Sequence, residues 1–143
     1  MADVAVRQPP DDEPDGGDIV LLIEDDRDIA TMYATGLNLS GHHAHIASSG
    51  QSGLSEAIVA EQPPSVIVLD LGLPDIPGLE ILDNLRGHTP PIEIPVIVLS
   101  NDAEDFDVAY EHGATECHEK YRTTPRQLVG YVEQAIRERR LSA

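Results

Sequence analysis

Three short apolar runs, each stopping at a polar or acidic residue, constrain the fold of this chain most. Ile19–Ile23 leads into Glu24-Asp25-Asp26, residues 66–69 lead into Asp70, and residues 95–99 lead into Ser100. Runs this short and this unbroken suit strands buried on both faces, which belong to parallel sheets covered by helices. Helical spacing fills the gaps between them. Residues 28–39 present Ile29, Met32, Tyr33, Gly36 and Leu37 on one stripe. Residues 52–61 present Leu54, Ala57 and Ile58 before Pro63-Pro64 stops the helix. Residues 78–85 form a third helix, and Asn101 with Glu104 makes a capping box for a fourth that ends near His112. Thr124, Pro125 and Gln127 open a fifth as N-cap, first helical residue and third helical residue, with Leu128, Val132, Ala135 and Ile136 as its stripe. Two weaker strands, a polar one near an edge at 43–48 and a short one at 115–119, complete the pattern.

Strands that alternate with helices in this way predict an α/β fold. A doubly wound parallel sheet lies between two helix layers, with right-handed crossovers. In such sheets function gathers beyond the carboxyl ends of the strands. Glu24, Asp25 and Asp26 stand there after the first strand, Asp70 after the third, Ser100 after the fourth and Lys120 after the fifth.

Carboxylates that converge on one sheet end repel each other unless a cation joins them. An oxygen-only donor set favours a hard ion, and Mg²⁺ commonly combines one or two carboxylates with waters and a phosphate. A carboxylate beside such an ion can attack a phosphoryl group and form an acyl phosphate. The oxygens of that phosphate need a metal, an ammonium, and a hydroxyl with a backbone N–H. Lys120 and Ser100 are side chains of the right type at the right strand ends.

Composition narrows the setting. The formal net charge is −17, and such a surface repels nucleic-acid phosphates, so no direct nucleic-acid contact is expected. Lys120 is the only lysine; a salt-rich host and a GC-rich genome both fit that scarcity. No stretch approaches the roughly 20 apolar residues of a membrane span, and the start lacks the basic and apolar regions of a signal peptide. One cysteine, Cys117, leaves no internal disulfide and fits a reducing cytoplasm. Residues 1–17, with five acidic residues, Pro9, Pro10, Pro14 and almost no apolar pattern, read as a disordered tail, and residues 18–143 as one domain.

The ordered motifs resemble the response-regulator receiver domains of two-component signalling. The resemblance runs from about Asp18 to Arg139. Leu22-Ile23-Glu24-Asp25-Asp26, Val68 through Pro74, Gly78-Leu79-Glu80, Val98-Leu99-Ser100, and Gly113-Ala114 followed by Lys120 carry it. It implies a flavodoxin-like sheet of order 2-1-3-4-5. It further implies Mg²⁺ held by Glu24, Asp25, Asp70 and the backbone carbonyl of Gly72. Asp70 is then the phosphoacceptor, supplied by a sensor histidine kinase or phosphotransfer protein, with Ser100 and Lys120 serving the phosphate. The chain modifies only itself, so it is not an enzyme in the turnover sense. The expected output is a protein contact, to an unknown downstream protein or a second copy, on the face of the fourth helix, fifth strand and fifth helix. Because the chain closes with the fifth helix, a stand-alone receiver is expected.

Three positions depart from the family pattern. Tyr121 replaces the proline after the lysine, Cys117 replaces the switch aromatic, and Asn101 replaces a small residue after Ser100. They support a rival reading as a phosphorylation-independent interaction module. An aspartyl-nucleophile phosphatase is a further rival, but it wants a second Asp where Gly72 stands. Asp26 reads as a helix cap, His42, His43 and His45 as surface residues, Cys117 as a small buried hydrophobe, and Pro74 and Gly78 as loop-shaping residues. Arg137, Arg139 and Arg140 suit a helix C-terminus.

Overall fold

Every residue of Val66–Asp70 and of Val96–Ser100 is buried, as a central strand requires. The computed structural model describes residues 17–142, so the expected tail lies outside the described residues except for Gly17. Strands β1 (Ile19–Ile23), β2 (His43–Ala47), β3 (Val66–Asp70), β4 (Val96–Ser100) and β5 (Glu116–Glu119) alternate with five helices. These are α1 (Arg27–Leu39), α2 (Gly50–Val59), α3 (Gly78–Arg86), α4 (Phe106–Glu111) and α5 (Pro125–Ser142). All strand pairs are parallel and the order is β2-β1-β3-β4-β5, the expected 2-1-3-4-5 sheet. The polar strand β2 lies at an edge, where its exposed His43, His45 and Ile46 meet solvent.

Successive strand residues point to opposite faces, and the two cores divide by that parity. Leu21, Ile23, Ile67, Leu69, Val96, Val98 and Cys117 pack against α2, α3 and α4. Val20, Leu22, Val66, Val68, Ile97 and Leu99 pack against α1 and α5. The α5 stripe is the predicted one, Leu128, Val132, Ala135 and Ile136. On α1 the buried face is instead Ala30, Tyr33, Ala34 and Leu37, and Met32 is 43% exposed.

Helix starts follow local chemistry. The Asp26 carboxylate accepts from the Asp28 and Ile29 amides at 3.0 and 3.1 Å, so it caps α1 as expected. Thr124 and Gln127 exchange side-chain and amide bonds at 2.9 and 3.1 Å in a capping box. Asn101 does not cap. Asp102 accepts from the Glu104 amide at 2.9 Å and opens a 3₁₀ turn, Ala103–Asp105, that runs into α4. Helix α2 begins two residues before its predicted start. Ser49 caps it, and Asp75 from the loop after β3 accepts from the Gly50 and Gln51 amides, each at 2.9 Å. Those two amide bonds, Gln51 first, hold the Asp75 carboxyl below its ordinary value. Gly113 has φ +108, where side chains are strained, and Arg86 wraps around its carbonyl at 2.9 and 3.0 Å.

Two glycines should respond oppositely to alanine. A Cβ on Gly78 would stand 2.7 Å from the Leu71 Cα, a backbone atom with little room to yield. Gly78→Ala should lose about 1–3 kcal/mol in urea unfolding through overpacking. Gly130 lies within α5 with nothing within 4 Å of its Cβ direction. Gly130→Ala should gain up to about 1 kcal/mol from helix propensity.

Candidate functional site

Register brings the site together. Ile23 pairs with Leu69, so the next residues, Glu24 and Asp70, leave the sheet at the same level. Ser100 pairs with Glu119, so Lys120 leaves one position beyond it. Strand parity then sorts the side chains. Glu24, Asp70 and Lys120 continue the set facing α1 and α5, whereas Ser100 continues the set facing α4.

Lys120 Nζ lies 3.0 Å from Glu24 Oε1, 3.1 Å from Glu24 Oε2 and 3.1 Å from Asp70 Oδ2. All three side chains are at least nine-tenths buried. Glu24 Oε2 also accepts from the Asp26 amide, and Asp70 Oδ1 accepts from the Gly72 amide, both at 3.0 Å. Burial pushes the Glu24 carboxyl up, against the lowering effect of the Asp26 amide and Lys120. Burial works against the Lys120 ammonium too, but the bond to Glu24 and the charge of Asp70 outweigh it and hold its pKa above the ordinary value. Lys120 therefore stays cationic.

Glu24, Asp25 and Asp70 each offer an oxygen within 4.8 Å of the others, with Asp25 exposed. It is the one cluster of this kind among the described residues. Three carboxylates against one ammonium leave about two negative charges, and all donors are oxygens, so the chemistry of the set fits a hard divalent ion such as Mg²⁺. Gly72 sits on the exposed loop beside Asp70, with its Cβ direction 3.7 Å from Asp70 Oδ1.

Ser100 is part of the same sheet end but bonds elsewhere. Its hydroxyl lies 2.7 Å from Asp105 Oδ2 and 3.2 Å from the Asp102 carbonyl, and it accepts from the Asp102 amide at 3.2 Å. Lys120–Arg122 form a 3₁₀ turn, the path taken with Tyr121 in the proline position. Tyr33, buried on α1, points its hydroxyl at the Thr123 and Lys120 carbonyls, 2.6 and 3.2 Å away, and pins that turn. Neither Tyr33 nor Asp105 was among the expected site residues. Tyr33 already carried a signal, as a polar-tipped aromatic on a core stripe whose hydroxyl needs a partner.

The histidines do not join a site. His42 Nε2 lies 3.0 Å from Glu133 on α5, and His43 and His45 stand exposed on β2. Arg140 is paired with Asp18 at 2.9 Å. Cys117 is buried on β5, and its thiol is pushed up to about 11 by burial, with Tyr110 opposing and Glu116 adding to the rise.

A family model described as the response regulator receiver domain matches residues 20–133. The chain belongs to that family, the receivers of two-component response regulators. It is similar to the transcriptional regulatory protein KdpE of Mycobacterium tuberculosis, 40% identical over 100 residues, which is 68% of this chain and 42% of that protein. Among solved structures, a response regulator receiver domain protein from Clostridium thermocellum superposes with a TM-score of 0.78 at 26% identity, covering 88% of this chain and 99% of that one. A BeF3-activated DrrB receiver domain gives 0.72 at 25% identity, over 85% and 98%. The chain spans about two fifths to one half of the length of the curated relatives it matches. They are named as transcriptional regulators, so they lend no support to the expectation of a stand-alone receiver or to the absence of a nucleic-acid partner. No helix among the described residues is long and apolar enough to cross a membrane.

Two outcomes test this geometry. Removing the ammonium leaves Glu24 and Asp70 facing each other, so Lys120→Ala should lose about 3–5 kcal/mol in chemical unfolding. Much of that loss should return in the Lys120→Ala, Asp70→Asn double variant. Cys117 should react with a disulfide reagent near neutral pH about 100-fold more slowly in the folded than in the unfolded protein, the thiolate fraction lost by a shift to about 11.

Proposed function

We propose that this chain is a phosphorylation switch whose phosphoacceptor is Asp70. The single observation behind the reading is a buried carboxylate bonded to a lysine, and within 4.8 Å of two further carboxylates, at the carboxyl edge of the sheet. The phosphoryl donor is the phosphohistidine of a sensor histidine kinase or phosphotransfer protein. An Asp70 carboxylate oxygen attacks phosphorus, a P–O bond forms and the P–N bond breaks. The electron pair of that bond stays on the imidazole nitrogen, which takes up a proton. Water attack on phosphorus later restores the carboxylate and releases phosphate. Mg²⁺, held by Glu24, Asp25, Asp70 and the Gly72 carbonyl, supplies the positive charge that lets three carboxylates and a phosphoryl group meet.

The chain's own residues do the rest. Lys120, kept protonated and fixed by the Tyr33-pinned turn, exchanges its Asp70 contact for a phosphoryl oxygen. The Gly72 amide orients the attacking carboxylate through Oδ1. Ser100 supplies a hydroxyl hydrogen once the phosphate is present. Each modification uses Asp70 once, so the chain passes on a signal and does not turn over a substrate. Phosphorylation shifts a pre-existing equilibrium between two conformations. The α4, β5 and α5 face then docks a downstream protein or a second copy. With a net charge of −17 the chain itself stays off DNA, and it works in the cytoplasm.

Incubation with Mg²⁺ and acetyl phosphate should add the mass of one phosphoryl group. Asp70→Asn should abolish the gain, and chelating the metal should prevent it. No mass gain and no Mg²⁺ affinity in the wild type would favour the phosphorylation-independent interaction module instead.

A further inference from the structure

We propose that Asp105 is a positioning residue that holds Ser100 in its resting place and so sets how readily the site accepts a phosphoryl group. The inference rests on Asp70 being the phosphoacceptor. A serine hydroxyl carries one hydrogen. Here the Asp105 carboxylate, at 2.7 Å, is the closer and charged acceptor, and the Asp102 carbonyl at 3.2 Å is the weaker one. Parity points Ser100 to the α4 face, away from the Glu24, Asp70 and Lys120 group. Asp105 stands at the N-cap position just before α4 yet makes no side-chain cap bond to it, and Ser100 is its side chain's partner among the described residues. For Ser100 to donate to a phosphoryl oxygen on Asp70, its hydrogen must leave Asp105. The two bonds exclude each other, which is a negative coupling between the Asp105 contact and phosphoryl binding. Because the Asp102 amide donates to the same hydroxyl oxygen, a rotation of Ser100 toward Asp70 also unties the 102–105 turn from the tip of β4.

The test measures beryllofluoride affinity by fluorine NMR with Mg²⁺ present, for the wild type, Asp105→Ala, Asp105→Asn, Ser100→Ala and the Ser100→Ala, Asp105→Ala double variant. Asp105→Ala should bind about tenfold more tightly, the equivalent of one hydrogen bond to a charged group. Asp105→Asn, which keeps an acceptor without the charge, should fall between. In the Ser100→Ala background, removing Asp105 should change nothing. An equal gain in both backgrounds would show a charge effect on the bound anion and overturn the positioning role. Wild-type uptake with an unchanged Asp105→Ala affinity overturns this inference alone, whereas no uptake by the wild type overturns the phosphoacceptor reading and this inference with it. Amide exchange at Asp102 in the unliganded protein should speed up in Asp105→Ala, and an unchanged rate also counts against the tether.

Discussion

The ammonium of Lys120 between Glu24 and Asp70 is the contact on which the carboxyl end of this sheet depends. Two carboxylates that leave neighbouring strands at one level, both nearly buried, repel strongly in a medium that screens poorly. One lysine, itself 7% exposed, answers both. Such an arrangement is weak evidence for stability, because desolvating three charges offsets much of their attraction. Its significance lies in what is left over. The pair of bonds neutralises about one charge of two, and the exposed Asp25 adds a further negative charge. The end of the sheet is therefore built with a standing demand for further positive charge, which a cation can meet. The Tyr33 hydroxyl keeps the lysine at its post by fixing the turn that follows it, so α1, which contributes no carboxylate, still shapes the site.

Strand parity gives the site two sides. Glu24, Asp70 and Lys120 face α1 and α5; Ser100, one residue off in phase, faces α4. Its partners are accordingly loop groups on that side: the Asp105 carboxylate and the Asp102 backbone hold the Ser100 hydroxyl where the chain turns into α4. The same logic explains Asp75, whose carboxylate caps α2 from the loop after β3 and fixes where that loop runs beside Gly72.

Much of this was legible in the sequence, for a physical reason. Short continuous apolar runs between helical stretches suit central strands, and a parallel sheet collects whatever follows its strands at one end, so Glu24, Asp25, Asp70 and Ser100, with Lys120 after the short polar strand, could be gathered from the sequence alone. Parity was legible as well, since it needs only odd and even numbers along each run. The tertiary partners were not. Asn101 and Glu104 fit a capping box by spacing, but the Ser100 hydroxyl bonds Asp102 and leads the chain through a 3₁₀ turn, so Asp102 takes the cap. Met32 fits the α1 stripe by period, yet the buried face turns to include Ala30 and Ala34 and leaves Met32 43% exposed. Asp75 caps a helix 24 and 25 residues away, and no local pattern encodes that.

Position 117 shows how a missing side chain can be replaced from a neighbouring element. β5 is an edge strand, and an edge leaves amides without sheet partners. The Cys117 amide donates to the Tyr110 hydroxyl of α4 at 3.1 Å, so an aromatic reaches β5 from the helix rather than standing on the strand. On the other face His118 stacks on Tyr131 of α5, with ring centres 3.7 Å apart and planes within 2°. Thus α4 and α5 are each fastened to β5 by one aromatic contact, and the thiol between them is too buried and too weakly acidic to act. Helix α4 is tied at its far end by the Tyr110 hydroxyl and by His112 against Asp83 at 2.7 Å, and at its near end by the Ser100 turn and the Cys117 thiol against the Phe106 carbonyl at 3.9 Å, with Ala109 buried between. Of these ties the Ser100 turn is the one that begins at the carboxyl end of the sheet, beside Asp70, so α4 meets the site there and not through position 117.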